Sequence, residues 1–233
     1  MQSPIKFLPK TTLRLAEPKK LLEIQYKAGD SFDVDFDHDH PAHGNFILLG
    51  PTFPTILFRG GNFRLSAVHI HKSPEHAIDL QVPEPTFEIH FIHIPQCISN
   101  DQAKLVDCPK VVVGVLYHYA ASTSDQTQGG LKAFGRELSK RLDSNTQAAM
   151  PLIPSHFFPL DGSNIDLANW YHYEGSLTSF PFSENVSWFV MKSVASVAEV
   201  DTKPFELHAE QEAREFQPLE RRLVVRSFKL PDE

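Results

Sequence analysis

The sequence predicts a mainly β fold, and three observations carry that reading. Eighteen prolines and eleven glycines recur between short β-branched and aromatic runs, the pattern of many short strands joined by irregular loops. Long helices are not the theme, the best helical spacing of apolar residues being confined to one segment. The chain has 233 residues, 41% of them hydrophobic, enough for one large core, and all-β domains of this size commonly fold as one unit; residues 1–233 are read as a single domain.

Taken in order, alternation or a short apolar run marks strands at Leu22 to Tyr26, Ser31 to Phe36, Phe63 to His71, Thr86 to His93, Val111 to His118, Trp188 to Val197 and Val224 to Ser227. A sheet built from these draws on the whole chain. The helix is Leu131 to Leu142, where Leu131, Phe134, Leu138 and Leu142 fall on one face with polar residues between them. No internal repeat or low-complexity segment is visible, although Asp35 to Gly44, DFDHDHPAHG, concentrates acid and histidine.

Charge and composition exclude several classes. The net charge is -7 and the pI about 5.9, and the basic residues form no stripe or tail, which argues against a nucleic-acid partner. No stretch approaches the roughly 20 apolar residues of a membrane span. The start, MQSPIKFLPK, lacks the apolar core and cleavage site of a secretory signal. The chain therefore reads as soluble: cytoplasmic as written, periplasmic or secreted if its N-terminus was trimmed. Cys97 and Cys108 are too few for a disulfide framework and too far apart for a zinc knuckle; they are either one bridge across a hairpin or two free, partly buried thiols.

The chemistry concentrates in Val68 to His93, VHIHKSPEHAIDLQVPEPTFEIHFIH, which holds five of the twelve histidines. In a strand, residues i and i+2 share a face, so His69 and His71 project together while Val68 and Ile70 point into a core. His90 lies in a second apolar strand, FEIHFIHI, beyond a Pro-rich connection compatible with a hairpin, and can face the same side. Three neutral imidazoles leave the fourth tetrahedral position of Zn²⁺ open, as in a catalytic site. Glu88, two residues before His90, can accept the other ring N–H of a ligating histidine and fix its tautomer. An HxH pair alone also marks ordinary solvent-facing strands; the second strand, the acid and the intervening SPEH element favour the metal.

These residues resemble the alpha-class carbonic anhydrases, marked by an HxH strand, a short SEH element and a strand of the form ELHLVH. The three pieces here are His69-Ile70-His71, Ser73-Pro74-Glu75-His76 and Glu88-Ile89-His90-Phe91-Ile92-His93. Gln2-Ser3-Pro4-Ile5, Gly175-Ser176-Leu177-Thr178-Ser179 and QPLERRLVVRSF, Gln217 to Phe228, are similar to the family's QSPI, GSLTT and closing segment, so the likeness covers nearly the whole chain. The resemblance implies a central, twisted, mostly antiparallel sheet of about ten strands with a few short helices. It implies Zn²⁺ on His69, His71 and His90, and attack of zinc-bound hydroxide on carbon dioxide to give bicarbonate and a proton. It also implies Thr178 and Glu75 as a hydrogen-bonded pair that aims the nucleophile, and Tyr173 and Ser3 in the network supporting them. Ile92, Val112, Leu177, Val186 and Trp188 become the apolar wall for carbon dioxide, though each is equally readable as core. His76 and His93 match positions that do not bind metal.

Several positions depart from the family's pattern. Where fast members carry a proton-shuttling histidine, Gly29-Asp30-Ser31-Phe32 has Asp30, whose ordinary pKa near 3.9 suits it poorly to accept a proton from a group near 7, so proton export should be slow. His38, His40 and His43 are substitutes for that shuttle, ligands of a second metal, or simply part of a solvated acidic loop. Ala67 stands where glutamine usually supports the first ligand, and weaker zinc retention is expected. Lys72 replaces a tryptophan, and Phe180-Pro181 a Pro-Pro pair, which alters the cavity near Ser179. Phe182 replaces a cysteine, so the customary disulfide is absent and cysteine usage does not fix the compartment. The rival functions are a catalytically silent binding module, disfavoured because all three ligands, Glu75 and Thr178 are intact, and a zinc esterase. Monomer and homodimer are both left open.

Overall fold

The computed structural model of the chain describes residues 1–36, 44–99, 108–120, 126–144, 149–206 and 213–233. The strands are, in order, β1 (Lys6–Phe7), β2 (Leu13–Arg14), β3 (Leu22–Ile24), β4 (Phe32–Phe36), β5 (Asn45–Leu48), β6 (Thr55–Phe58), β7 (Gly61–His71), β8 (Ala77–Ile78) and β9 (Phe87–Pro95). They continue as β10 (Lys110–Tyr119), β11 (Met150–Leu152), β12 (Leu160–Asp161), β13 (Asn164–Ile165), β14 (Trp170–Gly175), β15 (Val186–Met191), β16 (Ala195–Val197) and β17 (Val225–Arg226). The helices are α1 (Pro18–Leu21), α2 (Gln126–Ser144) and α3 (Glu199–Glu206), with two short 3-10 turns.

Among the described residues, thirteen strands form one mixed sheet in the order β11-β4-β5-β7-β9-β10-β15-β14-β17-β2, with β16 beside β10 and β6 bridging β3 to β7. Pairing is antiparallel except for β10 with β15 and β16, and β17 with β2. The fold is thus mainly β as expected, with three strands lying off a ten-strand path.

Because strand side chains alternate, the sheet has two faces. The back face presents Val68 and Ile70, Ile89 and Phe91, Val111, Val113 and Val115, and Phe189 and Met191 to one core, which α2 covers with Leu131, Phe134 and Leu138. Phe134 meets Phe46 edge-on at 4.9 Å and stacks on Phe205 of α3 at 5.8 Å. The front face carries a second cluster, with Val112 and Leu116, Trp188 and Val190, and Tyr171 and Tyr173 packed on Ile5, Phe7 and Phe228.

The helix α2 contains the expected Leu131 to Leu142 segment and extends it at both ends. The continuous strand expected from Trp188 to Val197 is corrected: β15 and β16 are separate. Both pair with β10, but from Gly114 to Tyr117 that strand advances three residues while its partner advances five, Val190 to Ala195, so the surplus leaves the ladder. Strand β14, WYHYEG, gave no alternation because almost all of it is buried on both faces. Strand β6 joins β7 through Arg59 and Gly60, both at positive φ (49° and 78°), the two-residue turn whose twist matches a hairpin. Cys97 and Cys108 are free, the first exposed and the second buried. No helix among the described residues is long and apolar enough to cross a membrane.

Candidate metal centre

The centre is built on the antiparallel β7–β9 pair, whose register sets His69 opposite His90 and His71 opposite Glu88. A bulge between Leu65 and Ala67 makes this possible. Before it, odd-numbered Phe63 and Leu65 face the back core; after it, even-numbered Val68 and Ile70 do, which turns His69 and His71 to the front. A register one residue different would bury the histidines against the helices.

The three rings are neighbours. His69 stacks on His71 with centroids 4.2 Å apart, His71 and His90 are 4.4 Å apart, and His69 and His90 6.3 Å. His71 Nε2 faces His90 Nδ1 at 3.0 Å. His90 Nδ1 is turned inward because its Nε2 lies 2.9 Å from Glu88 Oε1.

Glu88 is wholly buried (0% exposed) and saturated with donors. Its Oε1 also lies 2.8 Å from His76 Nδ1, and its Oε2 accepts the backbone N–H groups of Glu75 (2.9 Å) and His76 (2.8 Å). Gly114, beside His90 on β10, makes room for it: a Cβ there would sit 2.6 Å from Glu88 Oε1. An isolated glycine inside a strand run, as in VVVGVL, is the sequence signal of such a close approach. From His76 the network continues to Tyr173, whose hydroxyl lies 2.7 Å from His76 Nε2 and donates to Ser3 Oγ at 2.9 Å. Ser3 Oγ also accepts Ser176 N–H at 3.0 Å.

The electrostatics divide the histidines. Burial pulls His71 well below the ordinary imidazole range, and the charges of His69 and His90 add to this, so it is held neutral, the ligating form. Burial acts the same way on His90, but the Glu88 charge and hydrogen bond, helped by Glu75, reverse it and raise His90. Burial alone would lift Glu88, yet His76 and His90 hold it well below the usual carboxylate range. Burial raises Glu75 against the opposing pull of His90 and a side-chain hydrogen bond with Thr178.

Glu75 completes the cluster from the other side. Its Oε2 lies 3.5 Å from His71 Nε2 and 3.9 Å from His90 Nδ1. That oxygen and His71 Nδ1 are buried without a hydrogen-bond partner among the described residues. The donor atoms of His71, Glu75 and His90 lie within 4.8 Å of one another, whereas His69, though its ring stacks on His71, has no donor atom in that group; within it His71 and His90 fit zinc. Two nitrogens each at roughly 2.0–2.1 Å from a tetrahedral ion stand about 3.3 Å apart, close to the observed His71–His90 spacing. A neutral imidazole and a carboxylate-anchored one are the right chemistry for it.

Beside the cluster runs an apolar row, Ile92, Val112, Trp188 and Tyr173, in register across β9, β10, β15 and β14. Val186 and Leu177 belong to the same cluster, and the Trp188 ring lies 4.7 Å from both His90 and His76. Thr178 and Ser179 are half-buried. Asp30 is exposed and lines a cavity of about 190 Å³ with Tyr26, Thr55 and Pro154 but none of the clustered histidines. His38, His40 and His43 lie outside the described residues. His93 sits on the back face, its Nδ1 3.0 Å from Val111 O and its Nε2 against the Tyr26 hydroxyl, where burial lowers its pKa to about 4.

The sequence model of eukaryotic-type carbonic anhydrases matches residues 1–228. Alpha carbonic anhydrase 3 of Arabidopsis thaliana is 25% identical over 233 residues, covering 96% of this chain and 73% of that protein. Alpha carbonic anhydrase 7 of the same plant is 27% identical over 176 residues, covering 73% of this chain and only 56% of that relative's length. The Photobacterium profundum alpha-carbonic anhydrase structure superposes with a TM-score of 0.67 at 23% identity, covering 96% of this chain and 88% of that one, a likeness of fold.

Proposed function

The chain belongs to the eukaryotic-type carbonic anhydrase family, and from that premise we propose that it is a zinc lyase interconverting carbon dioxide and bicarbonate, with His69, His71 and His90 as ligands. The observation that carries this reading is the facing of His71 Nε2 and His90 Nδ1 at 3.0 Å, with His69 across the strand from His90 and Glu88 behind it.

When bound, zinc would supply a nucleophile at neutral pH by lowering the pKa of water to about 7, a value established for carbonic anhydrase itself. The chain's residues do the rest. Glu88 fixes the His90 tautomer and keeps the Nδ1 lone pair directed inward. Thr178, donating its hydroxyl proton to Glu75, leaves its oxygen free to accept a hydrogen bond and so orients the nucleophile. Ile92, Val112, Leu177, Val186 and Trp188 offer an apolar resting place matched to an apolar substrate. Asp30 lies off the cluster, in a cavity that none of the clustered histidines lines, so proton export is the slow step and kcat should rise with added imidazole; a buffer-independent kcat would refute this.

Metal analysis coupled to a hydration assay, with His90→Ala as control, tests the whole reading. Stoichiometric zinc and activity are expected in the parent. The variant should lose more than the ~10- to 100-fold in metal affinity typical of removing a mere supporting partner. A metal-free or inactive parent, or a fully active variant, sinks it.

A further inference from the structure

The loop that carries Thr178 has little packing of its own. Its tip, Phe180, is 87% exposed, and Phe182 holds φ 58°, the left-handed region that an aromatic residue rarely adopts. Two backbone bonds close the loop, Leu177 N–H to Ser183 O (3.0 Å) and Phe182 N–H to Ser179 O (2.8 Å). Neither ties it to the rest of the molecule.

Trp188 Nε1–H holds the start of the loop at Ser176 O (2.9 Å), and the other ties come from two remote segments. The Arg214 guanidinium lies 4.0 Å over the Phe182 ring. Its Nη1 donates to Gln2 Oε1 (2.8 Å) and to Ser3 O (2.9 Å). Gln2 Nε2 donates in turn to Phe182 O (3.4 Å) and Glu184 Oε1 (2.8 Å). At the loop's other end, Ser3 N–H donates to Ser176 Oγ at 2.9 Å and Ser3 Oγ accepts Ser176 N–H. Gly175 permits that approach, since a Cβ there would fall 2.2 Å from Ser3 Oγ. Both ends of the loop are thus pinned to Gln2 and Ser3, and Arg214 clamps that pair to the strained aromatic residue.

We infer that Arg214 is a positioning residue: its clasp on Phe182, Gln2 and Ser3 holds the Thr178 hydroxyl in register with Glu75. The inference rests on the carbonic anhydrase reading, in which Thr178 orients the nucleophile. Guanidinium is suited to the task because a planar, always-charged fork stacks on a ring while donating at its edge, which an ammonium does not do.

A double-mutant cycle tests it. Because misplacing a reacting group by about 1 Å costs up to ~100-fold, loosening the loop through Arg214→Ala should lower kcat/KM for hydration about 10-fold, with zinc content unchanged. In a Thr178→Ala background the same substitution should cost less than about 2-fold, because the group it positions is gone. Arg214→Lys should recover only part of the loss. Hydrogen exchange supplies a readout independent of catalysis: the Leu177 and Phe182 amides should exchange faster in Arg214→Ala. Equal losses in both backgrounds, or unchanged exchange, would overturn the inference while leaving the catalytic reading intact. An inactive parent would remove that reading, and with it Arg214's effect on turnover, while exchange still decided whether the clasp exists.

Discussion

His90 and Phe91 are consecutive residues of one strand and both are buried, yet they do opposite work on opposite faces of the sheet. Phe91 joins an apolar back core with Ile89, Val113 and the α2 side chains. His90 belongs to a front face where Glu88, His76, Tyr173 and Ser3 form a continuous polar network. A carboxylate taken wholly out of water costs several kcal/mol unless its hydrogen bonds are met. Glu88 has four donors around it, and the rigid back core holds the strands that place them. The back face supplies stability, and the front face spends part of it on a preorganised site.

The largest expected effect should separate the two faces. Phe91→Ala should cost about 3–5 kcal/mol, read from urea or thermal unfolding, while the folded fraction keeps its full zinc content. Zinc loss in excess of unfolding would mean that the back core also tunes the site directly.

A pH series sharpens the contrast. His93 has its folded pKa near 4, below the ordinary 6.5. The unfolded chain therefore binds the proton first as pH falls, so the contribution of neutral His93 is complete above pH 6.5 and is lost between about 6.5 and 4. It amounts to roughly 3 kcal/mol at most. Subtracting the stability of His93→Gln from that of the parent, both stripped of metal, should isolate this slope. A difference independent of pH across that window would contradict the assignment.

On the front face, Glu88→Gln keeps the shape but removes the charge that holds the His90 tautomer. Zinc affinity should fall about 10- to 100-fold, measured by chelator competition, with a smaller loss of fold stability than Phe91→Ala. Unchanged affinity would show that Glu88 serves folding alone.

How much of this was legible follows from the same two faces. Alternation in FEIHFIHI and VHIH was enough to assign His69, His71, Glu88 and His90 to one side, because period 2 is a local property of strands. The bulge that rephases β7 after Leu65 was not visible, since an extra residue leaves no compositional mark in LSAVHIH. Strand β14 was missed because burial on both faces erases alternation. The Arg214 clasp joins positions more than two hundred residues apart in sequence, and no local pattern reports such a contact.

The smallest expected effect supplies the control. Glu174 on β14 also has a histidine partner, His172 Nε2 at 3.6 Å, together with Ser187 Oγ at 2.7 Å and Arg59 Nη2 at 2.6 Å, but its side chain is 40% exposed. Those partners hold its pKa below the usual carboxylate value despite partial burial. Solvent screens such a pair, so Glu174→Gln should cost no more than about 1 kcal/mol and leave zinc affinity unchanged. If it weakened zinc as much as Glu88→Gln does, charge anywhere on the sheet would govern the metal, and the special standing of the buried front-face carboxylate would be lost.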